Sequence, residues 1–469
     1  MSQGRTIDVD RLVDDQQITR FNWMLVFWCF VITLIDGYDI TAAPAAGPFF
    51  VREWHLASPA ALTFAFSATN FGVLFGAPLF GWVGDRFGRK VAIILSLVVF
   101  GLFTIVVALV NSVEYLTWAR FFTGFGIAGV VANTIALNAE MAPRRVRATF
   151  IILMFIGTTF GGIFPPIVAN TLAAAYGWQI IFWIGGILPL VIAVICWLAV
   201  PESIKFLSLV PSRRDAAARI AQQMQPGLVV GPDDRFVSSG DSASQPRLAD
   251  LFVGRLAVVT PLLWLLFAIN LMVFYFVNVW LQTVITPALL KAGGSAATAQ
   301  NANLMFQLGG SLCALAMCRF VDRMGLRPVL LLILAGIPAT AAIGYVATSP
   351  ALVWVTFASG FCLLGVQFGL NATAGILYPT HVRSLGVGYA FGIGRFGAFG
   401  GPALGGMLIG MNMSLEKLYA IGAAPLVISL IACVIMIRLH DTALNSKDAG
   451  PERGAKPAEL PVQRSHRFR

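Results

Sequence analysis

Charge is scarce in this sequence: Asp, Glu, Lys and Arg make up 12% of the 469 residues, about half the share of a soluble globular domain. With 58% apolar residues and a mean hydropathy of +0.80, that scarcity excludes a soluble protein and indicates an integral membrane protein. Cysteine is missing from every water-facing stretch. Cys29, Cys196, Cys313, Cys318, Cys362 and Cys433 all fall in apolar blocks, so no disulfide framework or metal site is expected. Histidines number four and are scattered, and no glycine loop ends in Lys-Ser/Thr. Metal or nucleophilic catalysis and direct ATP use are therefore not expected, and neither is a cofactor. The polar first 20 or so residues lead into no short apolar core with a small-residue cleavage signal, so no removable signal peptide is expected. Ten-residue strands of alternating polarity, the mark of a membrane β-barrel, are absent too.

What the sequence does have is apolar runs of about 20 residues or more, each long enough for a helix to cross a hydrocarbon layer of about 30 Å. Twelve spans are expected, at 23–48, 59–83, 91–110, 115–139, 149–172, 178–199, 256–286, 298–318, 328–347, 351–377, 384–410 and 417–437. A polar segment containing Gly231-Pro232-Asp233-Asp234 and Ser238-Ser239-Gly240-Asp241 parts the sixth from the seventh and reads as a flexible linker. The expected organisation is an all-α membrane protein: a tail at 1–22, a six-helix bundle at 23–200, the linker at 201–255, a second six-helix bundle at 256–438 and a tail at 439–469.

The net charge of +10 has a topological explanation. Of 32 Lys and Arg, 27 fall on the side that holds both tails and the linker; the other side has Arg52, Lys291 and Lys417, and Arg120 and Arg395 lie inside spans. The positive-inside rule places both tails and the linker in the cytoplasm, and the surplus suits anionic headgroups rather than nucleic acid.

The two halves read as copies. A shift of 236 residues lays Gly124, Gly129, Pro143, Val146 and Arg147 over Gly360, Gly365, Pro379, Val382 and Arg383, and Gly161 and Pro166 over Gly397 and Pro402; a shift of 237 lays Asp85-Arg86 and Gly88 over Asp322-Arg323 and Gly325. Duplicated six-helix halves are how many transporters obtain two bodies that rock about a midplane site.

Gly81-Trp82-Val83-Gly84-Asp85-Arg86-Phe87-Gly88-Arg89-Lys90 resembles the signature of the major facilitator superfamily, and Asp322-Arg323-Met324-Gly325-Leu326-Arg327 resembles its second copy. Arg120-Phe121-Phe122-Thr123-Gly124 and Pro201-Glu202-Ser203 are further matches. Asp36-Gly37-Tyr38-Asp39 and Gly392-Ile393-Gly394-Arg395-Phe396-Gly397 resemble the aromatic acid:proton symporter family within it. The resemblance covers about residues 20 to 440 and implies the major facilitator fold, two pseudo-symmetric bundles with alternating access. Pro44 departs from it, because the family usually has glycine five residues after the second aspartate, whereas Pro48 agrees.

The charged motifs can also be read physically. Asp36 and Asp39 lie three apart in the middle of an apolar span and project from one helical face. A carboxylate at that depth costs at least about 2.5 kcal/mol unless it is paired, protonated or facing a wet cavity, which makes the two candidates for proton coupling. The bland alternative is that they cap and pack a helix break. Arg395, almost central in its span, can hold a carboxylate through two parallel hydrogen bonds and reads first as a substrate ligand, second as a structural partner. For Arg120, also a candidate, the resemblance reverses that order, because an arginine opening this helix recurs across the superfamily with unrelated substrates; by height in the membrane it could meet Asp39. Two arginines and two ionised aspartates sum to zero; a bound monoanion leaves one negative charge, which one proton cancels.

Tyr275, Asn278, Gln367 and Asn371 are candidate substrate-binding residues, with Phe274, Gln282, Gln307 and Tyr389 as further ring-framing groups and helix packing as the alternative for each. Asn133 and Asn138 read as interhelical hydrogen bonders. The resemblance implies that Asp85, Arg86 and Arg89 form a gating latch, with Asp322 and Arg323 in the second copy; the alternative is a solvated topogenic cluster. Glu140, beside Arg144, Arg145 and Arg147, is a candidate for a gate pair, and His381 reads as a surface histidine before a proton relay. Gly392-x-Gly394-x-x-Gly397 matches a dinucleotide fingerprint but lies in a span, so these glycines read as close-packing positions.

The leading expectation is a monomeric proton symporter of the bacterial inner membrane. It would import a benzoate-, hydroxybenzoate-, protocatechuate- or phenylpropionate-type acid for aromatic catabolism. An aliphatic-carboxylate symporter, an exporter and a transporter-like sensor are the alternatives.

Overall fold

The structure, a computed structural model, describes residues 5–231, 234–237, 247–324, 326–379 and 382–448. His381 and Gly325 lie outside them, and the side chains of Asp322 and Arg323 lie outside what is described. The membrane helices are α1 (Arg20–Glu53), α2 (Thr63–Phe87), α3 (Arg89–Leu109), α4 (Val113–Met141), α5 in two pieces (Arg147–Gly161 and Phe164–Thr171) and α6 (Gln179–Ala199). The second half contributes α7 (Leu256–Lys291), α8 (Ala296–Met324), α9 (Arg327–Tyr345), α10 (Leu352–Leu377), α11 (Arg383–Gly410) and α12 in two pieces (Leu415–Ala423 and Pro425–Asp448). Among the described residues, ten helices are long and apolar enough to cross a membrane, and α8 and α11 fall on the two remaining expected spans.

The two halves pack alike. In the first, α1 packs on α5, α2 on α4 and α3 on α6; in the second, α7 packs on α11, α8 on α10 and α9 on α12. Duplicated glycines make close approaches in these pairs. Gly124 of α4 lies against the Thr69 carbonyl of α2, and Gly360 of α10 lies against the Phe306 carbonyl of α8. Likewise Gly161 meets the Leu34 carbonyl and Gly397 the Ala268 carbonyl. No Cβ fits at any of the four, so the small residues let backbones touch. Between halves, α2 meets α11, α8 meets α5, and α1 meets α7.

The linker corrects one expectation. Its described part is folded rather than free: the stretch up to Val237 lies on the tail and the first bundle, and Leu248–Phe252 packs on α7. Residues Thr6–Asp8 (β1) pair in parallel with Arg235–Val237 (β2), and the Arg5 N–H donates to Asp234 Oδ1 at 2.8 Å. Helix Val9–Asp15 of the tail lies by linker helices Ile204–Ser208 and Arg214–Met224. Ala217, Ile220, Ala221 and Met224 recur at helical spacing and are buried. Lys205 pairs with Asp10, and Arg144 Nε with Asp14 Oδ2 at 2.9 Å. Opposite charges on tail, linker and bundle, plus that apolar stripe, account for the order.

Candidate functional site

Helix α1 sorts its side chains by direction. Gly37 lies against the Thr158 carbonyl of α5, and the Tyr38 hydroxyl donates to the Ile181 carbonyl of α6 at 2.9 Å. That packing turns Asp36 and Asp39 toward the interface of the two bundles. There they line a cavity together with Ile40, Ala43 and Pro44 of α1, Phe66, Thr69, Asn70 and Val73 of α2, Arg120 and Ile127 of α4, Tyr275 and Val279 of α7, and Arg395 of α11.

Asp39 and Arg120 form a bidentate pair, Nη1 to Oδ1 at 2.6 Å and Nη2 to Oδ2 at 2.9 Å, and both are almost wholly buried. Two parallel N–H···O bonds repay the desolvation of these charges as far as geometry can. Each Nη of Arg120 thus gives one N–H to Asp39, which is the structural-partner reading placed first for it; its buried Nε has no hydrogen-bond partner. Arg395 differs. It is half-buried and faces Asp36 and Tyr275 electrostatically, but has no carboxylate at ion-pair distance among the described residues. Gly394 and Gly397 pack α11 on Leu271 and Ala268 of α7, which leaves the side chain between them toward the cavity. Asp36, Asp39, Arg120, Tyr275 and Arg395 are thus brought together.

Asn278, Gln367 and Asn371 are not among the cavity-lining residues. Asn270 Nδ2 donates to Gln367 Oε1 at 2.9 Å and Gln367 Nε2 to Asn371 Oδ1 at 3.1 Å, an α7–α10 ladder that leaves the buried Asn270 Oδ1 without a partner. Asn278 Nδ2 donates to the Ile40 carbonyl of α1 at 3.2 Å. Phe274 stacks on Phe306 and Tyr389 on Trp264, so both act in packing. Sequence reasoning missed Thr69, Asn70 and the apolar wall. A mid-span amide in α2 was the available signal, since Asn70 Nδ2 donates across the bundles to the Ala398 carbonyl at 3.2 Å.

At the tail-bearing end, Arg89 joins Asp85 (2.6 Å) and Glu140 (3.0 Å), and Ser203 donates to Glu140. Glu140 therefore pairs with Arg89 and not with Arg144, whose partner is Asp14, because the tail lies over the end of α4. Arg86 departs from the latch as well: its guanidinium lies over the Trp82 ring at 5.6 Å. Glu202 accepts from the N–H of Ser203 beside it, at 2.9 Å, and from that of Lys90 at the start of α3, at 3.2 Å. Burial pushes its carboxyl above the usual glutamate range, and those N–H groups partly offset the rise. Asn133 Nδ2 bonds the Phe80 carbonyl at 3.1 Å, and Asn138 Nδ2 the Phe150 carbonyl at 3.3 Å.

Two packed six-helix bundles with a charged cavity between them are the architecture of a membrane transporter. The Major Facilitator Superfamily profile matches residues 29–289 and 263–468, and the chain belongs to that family. It is 30% identical to the 4-hydroxybenzoate transporter PcaK of Pseudomonas putida over 437 residues, 92% of this chain and 96% of that one. It is 31% identical to the gallate transporter of Pseudomonas putida, over 89% and 92% of the two chains. Among solved structures, the xylose transporter XylE from E. coli in a partially occluded inward open conformation superposes with a TM-score of 0.65. The identity is 15%, and the match covers 88% of this chain and 98% of that one.

Proposed function

We propose that this transporter imports an aromatic carboxylate together with a proton across a bacterial inner membrane, as a monomer with both termini in the cytoplasm. The observation that carries the reading is the unequal pairing of four charges around one cavity: Asp39 is matched by Arg120, while Asp36 and Arg395 face the cavity without joining. Arg395 is the group with donors to offer a carboxylate, and the apolar wall of Phe66, Val73, Ile127 and Val279 suits a ring. A carboxylate bound on Arg395 takes away the positive charge that faces Asp36. A proton on Asp36 then restores neutrality, and Asp39 stays ionised against Arg120. The names of the relatives, transporters of 4-hydroxybenzoate and gallate, support the substrate class. The Arg89 cluster with Asp85 and Glu140 sits where a gate at the cytoplasmic end would.

Purified protein in proteoliposomes, given an acid-outside gradient and a panel of benzoate, hydroxybenzoates, protocatechuate and phenylpropionates, is the test. We expect accumulation that a protonophore abolishes. Asp36→Asn is expected to lose gradient-driven accumulation yet retain counterflow of the acid. Wild-type accumulation by Asp36→Asn would sink the coupling role.

A further inference from the structure

Proline at position 44 of α1 has no N–H, so the carbonyl one turn earlier, at Ile40, loses its helical donor. A carbonyl so placed needs another partner wherever water is excluded. The partner comes from the opposite bundle: Nδ2 of fully buried Asn278 in α7, at 3.2 Å. The Asn278 amide is held in that orientation from behind, because its Oδ1 accepts from Gln307 Nε2 at 2.9 Å and from Asn303 Nδ2 at 3.4 Å, both in α8. Gln307 in turn lies against Gly162 in the break of α5. One turn along α1, Gln300 Nε2 donates to the Ala45 carbonyl at 3.0 Å. At the same end Asn170 donates to Asn301 at 3.0 Å.

We propose that Pro44 creates a hydrogen-bond acceptor on α1 that Asn278 grips across the bundle interface, and that this bond latches shut the mouth at the end of the molecule opposite the tails. Asn278 is a positioning residue in this role: it touches no substrate and sets how often that mouth opens. The latch adjoins the cavity, since Ile40 and Pro44 line it. Opening breaks the bond and bares a carbonyl to incoming water, which makes the break reversible. The backbone acceptor needs no protonation and no ligand, so the latch operates in the empty carrier. That places it outside the substrate and proton assignments above.

The test reads opening directly. Ser67 of α2 is buried at the same interface, where its hydroxyl donates to the Phe399 carbonyl of α11 at 3.4 Å. A Ser67→Cys reporter in the full-length protein is labelled by a membrane-impermeant thiol reagent only when that mouth opens. The described native cysteines, Cys29, Cys196, Cys313, Cys362 and Cys433, are buried, and Ser67 itself is the background control. Loss of one hydrogen bond in a two-state equilibrium corresponds to roughly a fivefold larger open population, so Asn278→Ala is expected to raise the labelling rate about fivefold. Pro44→Ala returns an N–H to Ile40 and relaxes α1; it is expected to raise the rate in the same direction and to fold at least as well. Because both variants act on one bond, the double variant is expected to label no faster than the faster single one. An unchanged rate in Asn278→Ala, or independent increases that multiply in the double variant, would overturn the latch. No substrate is present in the assay, so a failed uptake panel and a failed latch are separate results.

Discussion

At the residue scale, Arg120 and Arg395 show how one side-chain type serves two ends. Arg120 is bound twice to Asp39 and buried with it; Arg395 is left facing its aspartate. Truncating one member of a buried pair strands the other, at a cost of about 3–5 kcal/mol, whereas neutralising both removes the penalty. Arg120→Ala is therefore expected to melt well below the parent in detergent, and Asp39→Asn/Arg120→Gln to recover most of the difference. Equal melting temperatures for the single and double variants would show that the pair holds nothing together. The aspartates and arginines were legible in the sequence because a charge in an apolar span has few places to go. Asn278, Gln367 and Asn371 were not: an amide that binds a neighbouring helix and one that binds a ligand look alike until the partner is known.

At the scale of elements, the turn joining α2 to α3 is governed by Gly88, whose φ of 108° an L side chain rarely adopts. A Cβ there would also meet the Glu202 carboxylate. Since Glu202 titrates above its ordinary range when folded, the native state holds its proton more tightly than the unfolded chain. Its contribution is full below the unfolded glutamate value and is lost as pH rises through the folded value. Glu202→Gln, which keeps an acceptor for the Lys90 and Ser203 N–H groups, is expected to flatten that decline. Melting curves across mildly acidic pH check it, and an unchanged slope would remove Glu202 as the cause. The helices themselves were readable from length and apolarity. The breaks in α5 and α12 were not placed in advance, although Pro165 and Pro425 stand at or beside the start of the second pieces.

On the scale of the whole molecule, the tail and the linker up to Val237 form a small cap that belongs to the first bundle. A parallel pairing between residues more than two hundred positions apart leaves no local trace in sequence, so a polar, Pro/Ser/Asp-containing linker read as slack chain. Ile7 is buried in that cap with Phe236. Ile7→Asp is expected to release β1 from β2, lower thermal stability by roughly 2–4 kcal/mol in line with burying an unpaired charge, and expose the linker to protease. Protection equal to the parent's would mean that the cap is held by its ion pairs alone. Duplication, in contrast, was plain from the sequence, and Gly124 with Gly360 and Gly161 with Gly397 pack as matched sets.

The acceptor that Asn278 grips belongs to Ile40, yet nothing about it is written at position 40. Any residue there presents the same oxygen, and the proline that frees it stands four positions away. An exhaustive substitution scan would therefore register the bond at 44 and 278, while any response at 40 would report that side chain's place in the cavity wall and not the oxygen behind it.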